Sequence, residues 1–192
     1  TFALGGFAYW APKYIHARYG VELDHANFVF GALLVVAGLG GTAIGGVWAD
    51  RAARGLDRPA PAYSHVRLCA LTGLLAAPLA LATVLAPGPT TFFAFIFGCE
   101  LVIFVSTSPI NAAILQSVDV AARASAMALS IFAIHLLGDL WSPPLVGAIA
   151  DASSMRLGML LLPLAILVSG VVWMGNKPPP GAVPRRRAPS PP

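Results

Sequence analysis

A histidine and an aspartate stand four residues apart in His135-Leu-Leu-Gly-Asp139, inside a run that otherwise reads as lipid-soluble helix. Ala124–Ile134 precedes it and Leu145–Ile149 follows, both almost wholly apolar. Residues at i and i+4 share a helix face, so the imidazole and the carboxylate point the same way. A charge at mid-membrane costs roughly 2.5–3.5 kcal/mol on insertion scales, and such residues ordinarily face a bundle interior or a water-filled path. A second constellation is Glu100, Thr107 and Asn111, at i, i+7 and i+11, which places three polar groups along one face of another apolar helix. Ser106 and Ser108 flank this stripe and Pro109 bends it, since proline removes a helix hydrogen bond. Carboxylate, imidazole, amide and hydroxyl groups inside apolar helices fit the lining of a path for solutes or protons. They also fit hydrogen bonds between helices, the plainer reading for the three hydroxyls.

Composition sets these residues in a membrane. Hydrophobic residues make up 57% of the 192 residues and charged ones 10%, against about 25% charged in soluble domains. Mean hydropathy is +0.77. The net charge of +4 is the basic bias of membrane loops rather than a nucleic-acid surface, because no basic stripe interleaved with aromatics occurs. Cys69 and Cys99 lie in apolar runs and read as buried free thiols, without disulfide or zinc spacing. No cofactor or metal set is expected. Neither a Gly-x-Ser-x-Gly elbow nor a His-Glu-x-x-His motif occurs, which argues against an enzyme.

A hydrocarbon layer about 30 Å thick takes roughly 20 apolar residues per helix. The pattern predicts about six spans: Thr1 to about Tyr14, then 28–48, 66–85, 91–115, 124–149 and 157–174. The first is short and begins abruptly, as a truncated helix would. Residues 1–175 are expected to form one six-helix membrane unit, and 176–192 a disordered proline-rich tail carrying Arg185-Arg-Arg187. Nine basic residues (Arg51, Arg54, Arg58, Arg67, Arg123, Lys177 and Arg185–Arg187) fall on one side and Lys13, Arg18 and Arg156 on the other. The positive-inside rule places the nine, and the tail, in the cytoplasm.

Gly46-Val-Trp-Ala-Asp50 ends the second span and Gly147-Ala-Ile-Ala-Asp151 ends the fifth. Each is the second-to-third connection of a three-helix unit, and they fall on opposite sides of the membrane, as two inverted three-helix repeats require. Ala37, Gly41, Gly45 and Ala49 form a small-residue ridge on the second span, a surface for close helix packing.

Gly46-Val-Trp-Ala-Asp50-Arg51-Ala-Ala-Arg54 resembles the loop signature of the major facilitator superfamily, with Ala53 at its usual glycine. A longer series is similar to the spinster branch of that superfamily: Phe97–Glu100, Ser106–Ile114, Ala122–Leu129, His135–Asp139, Ser142-Pro143 and Gly147–Asp151. Leu140-Trp141 and Val118-Asp119 depart from the pattern of that branch. The resemblance implies the C-terminal half of a twelve-helix transporter, an all-α membrane protein whose N-terminal six-helix half is the partner. It implies a gate motif at Gly46, Asp50, Arg51 and Arg54, and a transport path past Glu100, Thr107, Asn111, His135 and Asp139. The implied activity is alternating-access transport of an amphipathic lipid of the lysophospholipid or sphingolipid class, or of a small hydrophobic anion. Transport of another organic anion or drug, and a non-transporting scaffold, are the alternatives. The expected location is a bacterial inner membrane.

Overall fold

The computed structural model describes residues 1–53 and 62–175. Eight α-helices follow in order: α1 (Phe2–Tyr19), α2 (Leu23–Ala53), α3 (Ala62–Leu85), α4 (Pro89–Val105), α5 (Thr107–Gln116), α6 (Arg123–Ile134), α7 (Ser142–Ala152) and α8 (Met155–Met174). A 3₁₀ turn at Val120–Ala122 leads into α6, and a π turn at His135–Asp139 joins α6 to α7. Among the described residues five stretches are long and apolar enough to cross a membrane: Leu23–Arg51, His65–Leu85, Pro89–Gln116, Val120–Ala152 and Met155–Met174. The chain is thus an all-α membrane protein. α4 with α5 makes the fourth span, and α6, the π turn and α7 make the fifth. α1, with 18 residues, forms the shorter first helix.

Local chemistry sets the helix ends. α1 runs past the expected Tyr14 to Tyr19, where Gly20 adopts φ 69°, ψ 15° and donates its N–H to the His16 carbonyl. Glycine enters that left-handed conformation without a Cβ penalty and closes the helix. α2 starts at Leu23, five residues before the expected Phe28, because polar Asp24, His25 and Asn27 form its first turns. Pro89 begins α4, and Thr91 Oγ1 accepts from the Gly88 N–H at 3.2 Å. Ser154 caps α8 by accepting from the Leu157 N–H at 3.3 Å.

The third span packs on the sixth, the fourth on the second and third, and the first on the fifth and sixth. Exchanging first with fourth, second with fifth and third with sixth carries these pairings onto one another, whereas the fifth–sixth pairing has no second–third counterpart of similar extent among the described residues. The second–fourth pair becomes the fifth–first pair, and the third–sixth pair maps onto itself. That is, for these pairings, the neighbour symmetry of two inverted three-helix repeats. Where the third and sixth spans cross, Gly73 and Gly170 face each other: a methyl on Gly73 would lie 3.0 Å from the Gly170 Cα. Only hydrogen on both residues permits this approach.

The ridge on α2 is buried against α4. A methyl on Gly41 would lie 2.5 Å from the Leu101 carbonyl and 2.7 Å from Phe104 Cβ, and one on Gly45 would strike the Val105 carbonyl. Pro109 has no N–H to offer that same Val105 carbonyl, so the fourth span breaks at Ser106, between α4 and α5. Gly45 lets the α2 backbone close over the carbonyl that Pro109 leaves without its helical partner. Ser108 Oγ–H completes the seam by donating to the Thr42 carbonyl at 3.0 Å.

Candidate functional site

The π turn sets the geometry of the His135–Asp139 pair. Leu140 N–H donates five residues back to the His135 carbonyl at 3.0 Å, a register that occurs mostly as single turns and frequently at functional sites. His135 Nδ1 lies 2.6 Å from Asp139 Oδ2. A carboxylate can only accept, so Nδ1 carries the proton of this bond and Nε2 is the nitrogen left for other partners. The histidine side chain is 63% exposed and the aspartate 29%. The other aspartate oxygen, Oδ1, is buried and has no hydrogen-bond partner among the described residues. It faces α1 at Gly5, where a methyl would stand 2.9 Å away.

The start of α1 is fastened to the same turn. Gly138 is buried against Thr1 and Phe2, and Thr1 Oγ1–H donates to the Ile134 carbonyl at 2.9 Å. Further along, Trp10 Nε1–H donates to the Pro143 carbonyl at 2.9 Å, and the Trp10 ring rests on Gly147. The far end of α1 is tied to the third span and the turn after it, with Tyr14 O–H donating to Val84 and Tyr19 O–H to Ala86. α1 is therefore anchored along its length while one of its faces, carrying Tyr9 and Lys13, stays exposed.

The break at Ser106 divides the polar stripe of the fourth span. Thr107 and Asn111, on α5, line a cleft of about 640 Å³. Glu100, on α4, does not line it. Its side chain is 1% exposed and neither carboxylate oxygen has a hydrogen-bond partner among the described residues. The continuous face expected from i, i+7 and i+11 spacing holds only for an unbroken helix, and Pro109 interrupts it. The first turn of α1 forms one wall of the cleft.

Ser130, Ser169 and Trp173 also line this cleft. They are isolated polar or aromatic residues within apolar helices, and no spacing pattern distinguishes them from packing residues. Cys69 lies on the same cleft, with Sγ 3.9 Å from the Ser106 carbonyl. Both cysteines are free and buried. Among the described residues no group of three or more His, Cys, Asp or Glu could hold a metal ion.

At the end of α2, Gly46 lies over Ser108, with room for an ordinary contact at 3.7 Å. Asp50 and Arg51 extend beyond it and are exposed. Arg54, the last member of the motif, lies outside the described residues, as does the tail from residue 176.

Among the described residues, five stretches long and apolar enough to cross a membrane and the shorter α1, packed through glycine-lined crossings, make a six-helix unit of the major facilitator type. Comparison with known proteins narrows this further. The chain is 30% identical over 175 residues to the probable sphingolipid transporter spinster homolog 2 of Arabidopsis thaliana, covering 90% of this chain and 34% of that protein. It is 29% identical over 161 residues to protein spinster of Drosophila melanogaster, covering 79% of this chain and 26% of that protein. It is 27% identical over 201 residues to the sphingosine-1-phosphate transporter SPNS2 of Danio rerio, covering 92% and 39%. No protein-family model matches. The chain is a spinster-like major facilitator sequence, and it spans about a third of the length of the curated relatives it matches.

Proposed function

We propose that this chain is the C-terminal six-helix part of a secondary transporter that moves an amphipathic lipid across a membrane by alternating access. The observation that carries the reading is the spinster likeness, which runs over nine-tenths of the chain and falls on proteins named for sphingolipid and sphingosine-1-phosphate transport. The fold supports it. In transporters built from inverted repeats, substrate binds near the bilayer midplane where repeats meet, and one rigid unit rocks against another. His135 and Asp139 lie on an exposed part of the fifth span, held in place by the start of α1, and a second six-helix unit would meet such polar groups. Glu100, Thr107 and Asn111 complete the proposed path. Glu100 stands apart from the cleft, and its part in the path would require the surrounding helices to open, which its unpartnered carboxylate would favour.

Asp50, Arg51, Arg54 and Gly46 form the proposed cytoplasmic gate motif, with residues 176–192 as a tail on the same side. The transporter reading leaves no role for an enzyme active site in this chain. The membrane itself is not specified by the relatives, which come from a plant, an insect and vertebrates, so a bacterial inner membrane draws no support from them. The test is uptake of a sphingoid-base phosphate and of a lysophospholipid by vesicles containing the full-length protein. Saturable uptake of either supports the proposal. Uptake confined to a non-lipid organic anion would transfer the activity to another major facilitator cargo.

A further inference from the structure

We propose that Lys13 is the docking point for the anionic headgroup of the amphiphile, a role that rests on the lipid-carrier reading above and specifies its ligand chemistry. The ammonium Nζ lies 4.4 Å from the centre of the Tyr9 ring and 5.0 Å from that of Trp10. Both rings precede it, by four and three residues, so the side chain folds back one turn toward the start of α1. Side chains on a helix lean toward its N-terminus, which makes this fold natural. It also carries the charge inward. Tyr9 and Tyr19 are ten residues apart, or about 15 Å at the helical rise. With Tyr19 placed at the outer interface, the rings would lie about half-way into a hydrocarbon layer about 30 Å thick. A lysine serving only to anchor the end of α1 would snorkel the other way, toward the nearer interface.

The platform beneath the ammonium is fixed. Trp10 is held by its bond to the Pro143 carbonyl, and the Trp10 ring is backed by Gly147. The aromatic faces stabilise the cation but do not neutralise it. Among the described residues no ion pair joins a carboxylate to Lys13. An ammonium at such depth is costly unless it meets water or an opposite charge. It offers three N–H donors, and those turned away from the rings are free for the oxygens of a phosphate monoester or carboxylate. The fifth span, which packs on α1, carries exposed apolar side chains, among them Leu140, Trp141 and Leu145, over which a hydrocarbon tail can lie.

Equilibrium binding to the full-length protein in lipid nanodiscs tests this with two probes: lysophosphatidate, a phosphate monoester, and lysophosphatidylcholine, a zwitterion whose phosphodiester charge is offset by the choline ammonium. Lys13→Gln should weaken lysophosphatidate by about tenfold, the size of one charge-assisted contact, and leave lysophosphatidylcholine within twofold. Lys13→Arg should retain most of the lysophosphatidate affinity, and inorganic phosphate at equal concentration should not displace the lipid. Unchanged choline-lipid binding also shows that the variant is folded. Equal losses for both lipids, or no loss for either, would overturn the role of Lys13 while leaving the lipid-carrier reading intact. Displacement by inorganic phosphate would assign Lys13 to free anions and overturn the amphiphile. Failure of the parent protein to bind either lipid would remove both proposals together.

Discussion

Glu100 shows how much a single side chain can cost a membrane fold. Both of its oxygens are sealed from solvent without a hydrogen bond among the described residues, and an unpaired polar group so placed costs about 2–7 kcal/mol depending on the reference medium. Glu100→Gln keeps the shape and removes the ionisable oxygen. The variant should therefore melt in detergent at or above the parent temperature while losing most of its lipid uptake. A fall of several degrees would show that the carboxylate holds the bundle together. His135 and Asp139 form a different kind of unit, a 2.6 Å bond in which the carboxylate fixes the tautomer and aim of an exposed imidazole. Residues that act as one unit are not additive. His135→Ala, Asp139→Asn and the double variant should depress uptake to a similar level. A double variant whose loss multiplies the two single losses would show independent roles. The pair itself was legible from its spacing and its cost in lipid. The inward fold of Lys13 was not, because a lysine near a helix end reads first as a topology marker; the aromatic residues three and four positions before it were the available signal.

Helices meet here through hydrogen rather than side chains, and the glycines differ sharply in how much they matter. A methyl on Gly45 would run into the Val105 carbonyl, a backbone atom that cannot turn aside, whereas one on Gly46 would make an ordinary contact with Ser108. Gly45→Ala should cost about 1–3 kcal/mol by overpacking. Gly46→Ala should stay within about 0.5 kcal/mol. Thermal unfolding of the two variants side by side checks the pair, and equal stabilities would contradict the proximity of α2 and α4. The ridge was readable because small residues recur every fourth position. Pro109 likewise announced the bend in the fourth span. Its consequence, that Glu100 and Thr107 no longer share a cleft, depends on where the break falls relative to the neighbouring helix. The π turn at His135–Asp139 left no trace in the sequence pattern, since one extra residue within a uniformly apolar run changes no periodicity.

At the scale of the molecule, hydropathy marked out the spans, and the echo of Gly-x-x-x-Asp marked the internal symmetry that the helix pairings display. The sides of the membrane follow from basic residues, many of which lie in segments outside the described residues. A cysteine at Glu22, between α1 and α2, should be labelled by an impermeant thiol reagent only from outside. One placed among residues 51–58 should be labelled only from the cytoplasm. The reverse pattern would invert the whole arrangement and move the proposed gate to the other face.

Transport is measured most directly as uptake into sealed proteoliposomes containing the full-length protein. The cargo is a radiolabelled sphingoid-base phosphate, and Asp50→Asn is the comparison, because Asp50 is exposed at the end of α2 and lies off the packing surface. Lipid transport by this protein requires saturable uptake by the parent and, with the gate motif at work, at least tenfold slower uptake by Asp50→Asn at equal membrane insertion. Uptake no faster than into protein-free vesicles, for this lipid and for a lysophospholipid alike, would contradict it.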